Sequence, residues 1–98
     1  MRIAASRIIL DFHGNLDLAE KRRQLSVLCD GIRKRHNLSA CEIDAFDDPE
    51  RCVVGIAAVI PDTWREKSIQ TFWQKVLEEI DTTAFARVVS EQSDITAI

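Results

Sequence analysis

Two long stretches with helical periodicity, each set between stretches that read as strands, predict an α+β domain of element order βαββαβ. Three observations carry that prediction. Residues 18–37 return Leu18, Leu25, Leu28, Cys29 and Ile32 at gaps of three, four and seven, which lays an apolar stripe along one side of a helix. Residues 51–60 are nearly all apolar and rich in Val and Ile, as a strand covered on both faces must be. From residue 63 to about 81 a second stripe appears, formed by Ile69, Phe72, Trp73, Val76 and Ile80 with Leu77 at its margin. The 98 residues, 46% of them hydrophobic, fit one domain over 1–98, large enough to bury roughly 60–65% of its unfolded surface without a metal or a disulfide.

The elements follow in order. Residues 2–12 alternate, with Ala4, Ser6, Ile8, Leu10 and Phe12 on one face and Ile3, Ala5, Arg7, Ile9 and Asp11 on the other, so a first strand turns Ile8, Leu10 and Phe12 inward. His13, Gly14 and Asn15 make a turn, because Gly and Asn tolerate positive φ. Asp17 is placed to cap the first helix by accepting from the free N–H groups of its first turn, and Glu20 completes a variant of the capping box. The helix runs to about His36, with Arg33, Lys34 and Arg35 against the negative end of its dipole, and Asn37 stops it.

Lys21 falls inside the apolar stripe. A buried ammonium is costly unless paired, so Lys21 either snorkels past the edge of the stripe or meets a carboxylate, for which Glu42 and Asp44 are the candidates. Those two acids alternate with Cys41, Ile43 and Ala45 in a second strand over residues 38–46, of which either face can look inward. The acidic stretch 47–50 contains Pro49 and reads as a loop.

In the third strand Val54, Ile56, Ala58 and Ile60 share one face, and Val53, Gly55, Ala57 and Val59 the other. Thr63 and Glu66 form a capping-box signature that opens the second helix, with Trp64 on its far side packed against the strand–helix turn. A last strand is expected at about 85–91, and residues 92–98 either pair at an edge or fray. This order suits a ferredoxin-like sandwich, the split βαβ arrangement, in which two helices lie on one face of a four-stranded antiparallel sheet. Its two central strands are those that precede helices, which matches the apolar first and third strands.

Composition excludes several classes of function. The longest uncharged apolar run, 52–61, is about half of the roughly 20 residues that a membrane-spanning helix needs, and the first residues lack the core and cleavage site of a signal peptide. A cytoplasmic protein without membrane contact is the expectation. Cys29, Cys41 and Cys52 are odd in number, spaced by twelve and eleven, and lie inside apolar patterns, so buried free thiols in a reducing cytosol are expected. His13 and His36 give no metal spacing with them, and Asp11-x-His13 lacks a third ligand, so neither a metal nor a cofactor is expected. With no G-x-S-x-G, no glycine-rich phosphate loop, no H-E-x-x-H and no cysteine paired with an activating histidine, the chain is not expected to be an enzyme and offers no catalytic residue.

Several segments, in collinear order over about residues 3–94, resemble the YlxP-like family, bacterial domain of unknown function 503. They are Arg7-Ile8-Ile9-Leu10, Asp17-Leu18-Ala19-Glu20-Lys21-Arg22, Asn37-Leu38-Ser39, Glu42-Ile43-Asp44 and Val54-Gly55-Ile56-Ala57-Ala58. The sequence departs from the family pattern at Ala19, where a lysine is usual, and around Pro49, where an aromatic residue is frequent. The resemblance implies a small cytoplasmic ferredoxin-like protein with no established activity. It also implies genes neighbouring those of transcription, translation initiation and ribosome maturation, which is association and not mechanism.

Two functional expectations remain. Residues 18–37 hold six of the thirteen basic residues against two acids, so the segment carries +4 while the rest of a chain of net charge −3 carries −7. Arg22, Arg23, Arg33 and Lys34 share one arc along about 17 Å of helix, a row that phosphates of RNA or the ribosome can follow. Against this stand the acidic balance, Asp30 within the arc, and the lack of sheet aromatics that stack bases. The alternative is a homodimeric interaction module, without nucleic acid, using Ile3, Ile9, Val53 and Val59 on the sheet face that the helices leave open.

Overall fold

The chain runs β1 (Arg2–Asp11), α1 (Leu18–Arg35), β2 (Ser39–Asp44), β3 (Arg51–Ile60), α2 (Glu66–Thr83) and β4 (Arg87–Ala97), the expected order. The structure, a computed structural model, describes residues 1–83 and 86–98, the side chain of Thr83 excepted. All four strands join one antiparallel sheet in the order β2-β3-β1-β4, so the two strands that lead into helices are central. This is the ferredoxin-like α+β fold.

Directly opposed residues of an antiparallel pair share a face. The β1–β3 register, which includes Ile8↔Val54 and Ala4↔Ala58, therefore fuses two inward rows into one floor. Ala4, Ser6, Ile8 and Leu10 of β1 and Cys52, Val54, Ile56, Ala58 and Ile60 of β3 are buried there. Onto this floor α1 lays Leu25, Leu28, Cys29 and Ile32, and α2 lays Ile69, Val76 and Ile80, with Phe72, Trp73 and Leu77 half-buried at its flank. Full burial of a side chain of this size contributes about 1.5–3 kcal/mol, so the two stripes hold the sandwich together while the three cysteines stay free.

Helix α1 begins as its sequence requires. Asp17 Oδ1 accepts from the N–H groups of Ala19 (3.0 Å) and Glu20 (3.3 Å), and at the other end the His36 N–H donates to the Ile32 carbonyl (2.9 Å). Before it, Gly14 takes a φ of +78°, the left-handed conformation the turn needs.

Helix α2 starts later than the capping-box signature at Thr63 suggested. The Arg2 guanidinium donates to the carbonyls of Pro61 (3.0 Å) and Trp64 (2.7 Å), and the Trp64 N–H closes a turn on Pro61 (3.0 Å). That anchor holds Thr63 in a turn, and the first i to i−4 bond of the helix runs from Ile69 to Arg65 (3.2 Å).

Phe85, placed at the start of the last strand by sequence, lies outside the described residues. From Arg87 on, β4 is longer than expected: residues 92–97 do not fray but pair along β1, from Gln92↔Arg7 to Ala97↔Arg2. The orientation of β2 is settled by Cys41↔Gly55 and Glu42↔Val54, which turn Glu42 inward and Cys41 outward. Gly55 is required beneath that outward row, because a Cβ there would lie 2.9 Å from Ile43 Cγ2.

Candidate interaction surfaces

The most elaborate polar site is built on Lys21, whose side chain is fully buried in the stripe of α1. Its Nζ donates to the carbonyls of Ala45 (2.8 Å), Asp48 (2.7 Å), Arg51 (3.0 Å) and Phe46 (3.3 Å). Glu42 Oε2 lies 3.1 Å from the same nitrogen but makes no directed hydrogen bond, so that contact is ionic. Of the two carboxylates foreseen for Lys21, Glu42 is the partner. Asp44 points to the opposite face and meets Arg7 at 3.7 Å.

Wrapping four carbonyls round one ammonium bends the β2–β3 connection. Ala45 sits at φ 61°, a region that non-glycine residues enter at a cost of about 1–3 kcal/mol, and its carbonyl is one of the four acceptors. The arrangement satisfies every N–H of the ammonium and leaves no room for a substrate. It is a structural pin that ties the acidic loop to α1.

The basic row stands on the outer side of α1, and each arginine in it has an acid beside it. Glu20 accepts from Arg23 Nε at 2.9 Å, and the guanidinium holds the Glu20 carboxyl down to about 2, with Gln24 adding a second hydrogen bond. Arg33 pairs with Asp30 and also donates to the Ala40 carbonyl (2.7 Å). Arg22 reaches Asp47 at 3.7 Å. Arg35, at the end of the helix, donates to Glu79 of α2 at 2.7 Å.

Lys34 is the member of the row for which no ion pair forms among the described residues. The Glu20–Arg23 and Asp30–Arg33 pairs were readable as i, i+3 spacings. The partners Asp47 and Glu79 come from elsewhere in the chain and had no local signal.

The cysteines divide into two kinds. Cys29 and Cys52 are buried, which raises both thiols and pushes Cys52 up to about 12, so neither is a nucleophile near neutral pH. Cys41 is exposed, against the expectation that all three are buried, because β2 turns it to the uncovered face of the sheet. Among the described residues no cluster of three or more metal-ligating side chains forms, and no helix is long and apolar enough to cross a membrane.

That uncovered face carries exposed apolar side chains, among them Ile43 and Val59. The pairs Ile3↔Val59 and Ile9↔Val53 place all four expected residues on it, but they differ in exposure. Val59 is 56% exposed, Ile3 and Ile9 are half-buried, and Val53 is buried. Val53 lies between Ile9 on β1 and Asp44 on β2, and the Arg7–Asp44 pair has to cross β3 at this point. The reachable apolar surface therefore shifts toward residues that sequence did not single out. Ala5, Ser39, Cys41, Ile43, Gly55 and Ala57 line a trough of about 510 Å³, with Arg33 at its rim. All but Ile43 are small, and small residues carried no signal until the register brought them together.

A smaller cleft of about 340 Å³ lies where the end of α1 meets the end of β3, with Trp64, Phe72 and His36 among its walls. There the His36 ring stands edge-on to Phe72 (5.9 Å between centroids), and its Nε2 is buried 3.5 Å from Glu79 without a hydrogen bond.

None of the curated proteins matches the chain. A family model does, over residues 3–93, nearly the whole length, and its description is "Protein of unknown function (DUF503)". The match embraces β1, the Lys21 pin, the basic helix and most of β4. The chain belongs to the DUF503 family.

Proposed function

We propose that the domain is a non-catalytic interaction module that binds a second copy of itself through the apolar half of its open sheet face. The observation that carries this reading is the trough lined mostly by small residues, next to the exposed Val59 and its opposed, half-buried partner Ile3. Under a two-fold axis Val59 of each copy enters the trough of the other, so one surface supplies both halves of the fit. Val59 at 56% and Ile43 at 45% exposure are large apolar groups with much to gain from cover. The free thiols suit a reducing compartment, which is consistent with a cytoplasmic location.

Contact with RNA or the ribosome through Arg22, Arg23, Arg33 and Lys34 ranks second. Glu20, Asp30 and Asp47 beside the arginines cancel most of the field that phosphates would feel, although such exposed pairs are weak and Lys34 has none among the described residues.

Sedimentation equilibrium at tens of micromolar tests the first reading. Reversible association is expected, Val59→Lys breaks the face-to-face contact and halves the mass, and alkylation of Cys41 slows as the wild-type concentration rises. A wild-type protein that stays monomeric, with Cys41 labelled at one rate at every concentration, overturns it. Salt-sensitive retention of total RNA that disappears in Arg22→Glu/Arg23→Glu favours the second reading instead.

A further inference from the structure

The two edges of the sheet are unlike. At one, β2 is six residues long, its register shifts between Glu42 and Asp44, and the acids Asp44, Asp47 and Asp48 crowd its end. Short length, irregularity and charge are the usual means of keeping an edge from pairing with another chain. At the other edge β4 runs eleven residues, contains neither Lys nor Pro, and is exposed along almost all its length. Helix α2 covers only its start, where Val88 packs against the core. A register shift opposite Ile9 and Leu10 disturbs β4 near Val89 and leaves Ser90–Ala97 regular. Val89 and Ile95 remain 45% and 43% exposed.

We propose that β4 is a self-pairing edge: two copies join their β4 strands antiparallel about Gln92, making one continuous eight-stranded sheet with all four helices on the same side. The sequence Arg87–Ala97 is centred on Gln92, and that register is the one that sets Val89 beside the partner copy's Ile95 at both ends. Opposed residues must share a face, so only registers centred on a residue keep the helices together. In this one no like charges stand directly opposite, since Glu91 meets Ser93 and Asp94 meets Ser90; the two Glu91 carboxylates approach only on the diagonal. The N–H and C=O groups of the edge supply the remaining attraction, as in strand addition generally, the Ile95 N–H once it gives up Asp94 Oδ1 (2.9 Å).

This contact uses neither the open face nor Val59 and stands whether or not the face-to-face dimer forms. Oxidative crosslinking tests it in a Cys41→Ser background. Gln92→Cys is expected to crosslink rapidly, because antiparallel opposed Cα atoms lie about 4.5–5.5 Å apart, within disulfide reach. Asp94→Cys, two residues off the axis on the same face, is expected to stay free. Equal crosslinking of the two variants, or none in either, overturns the proposal.

Mass measurements in a Val59→Lys background separate the two contacts. There the protein is expected at twice its 11.1 kDa. Adding Val89→Lys and Ile95→Lys opposes lysine to lysine and is expected to weaken association by at least about ten-fold. Replacing that pair by Val89→Lys and Ile95→Glu, which opposes lysine to glutamate, is expected to restore it. A monomeric Val59→Lys protein, or a dimer indifferent to both β4 variants, overturns the edge contact and leaves the open-face reading to its own test.

Discussion

Lys21 and Arg22 are neighbours on the first turns of α1, yet Lys21 is buried against five oxygens while Arg22 stands in water 3.7 Å from one carboxylate. The side chains are similar in length and charge. What separates them is the 100° turn between successive helical residues, which aims one into the stripe facing β2 and the other away from it. A cation removed from water must be met by oxygen on every side, and the chain contributes four backbone carbonyls and an acid to do so. An exposed cation keeps its hydration, so its nearest carboxylate adds little. The buried cation therefore shapes the fold and the exposed row leaves it unchanged, which is why charge density along the sequence was a poor guide to the importance of either.

The sharpest way to break that contrast is to remove the buried charge. Lys21→Met keeps the apolar stem but leaves Glu42 without its counter-ion and four carbonyls without a donor, and the loss expected in urea denaturation is about 3–5 kcal/mol. A loss below that of an ordinary surface change would show that water enters and replaces the ammonium. Glu42→Gln removes the ionic contact alone, with the four carbonyl bonds intact, and is expected to cost no more than about 1.5 kcal/mol. If it matches Lys21→Met, the carboxylate and not the carbonyl set holds the pin.

On the exposed side, Arg22→Ala is expected to change stability by less than about 0.5 kcal/mol. A subtler effect concerns Glu20, whose carboxyl lies near 2 and not at its ordinary 4.5 because Arg23 and Gln24 hold the charged form. A lowered carboxylate supports the fold fully above its ordinary value and loses that support as the pH falls toward 2. Carbon-detected NMR titration is expected to show Glu20 still charged at pH 3.5 in the wild type and returned toward 4.5 in Arg23→Ala.

Much of this was legible in the residues. The stripes of α1 and α2, the alternation of β1 and the continuous apolarity of β3 gave the element order and the central pair of strands, and Lys21 announced itself as a charge in an apolar stripe. Glu42 was one of two partners open to it. The four carbonyls were not readable, since a backbone acceptor has no residue type. Thr63 misled because a capping signature is local, and the Arg2 guanidinium that pins this turn lies 59 residues before Pro61 and 62 before Trp64. Val53 misled in a related way: its alternation placed it correctly on the open face, but its cover depends on Asp44 and Arg7 of the flanking strands.

Periodicity by itself determined which side of each helix and each central strand is apolar, because the geometry of a helix or strand repeats every few residues and is written locally. Only the tertiary structure decided which charges are quenched, which apolar groups stay uncovered and which sheet edge is unguarded. Those properties belong to residues far apart in the chain, 44 positions for Arg35 and Glu79 and 95 for Arg2 and Ala97, and no local period records them.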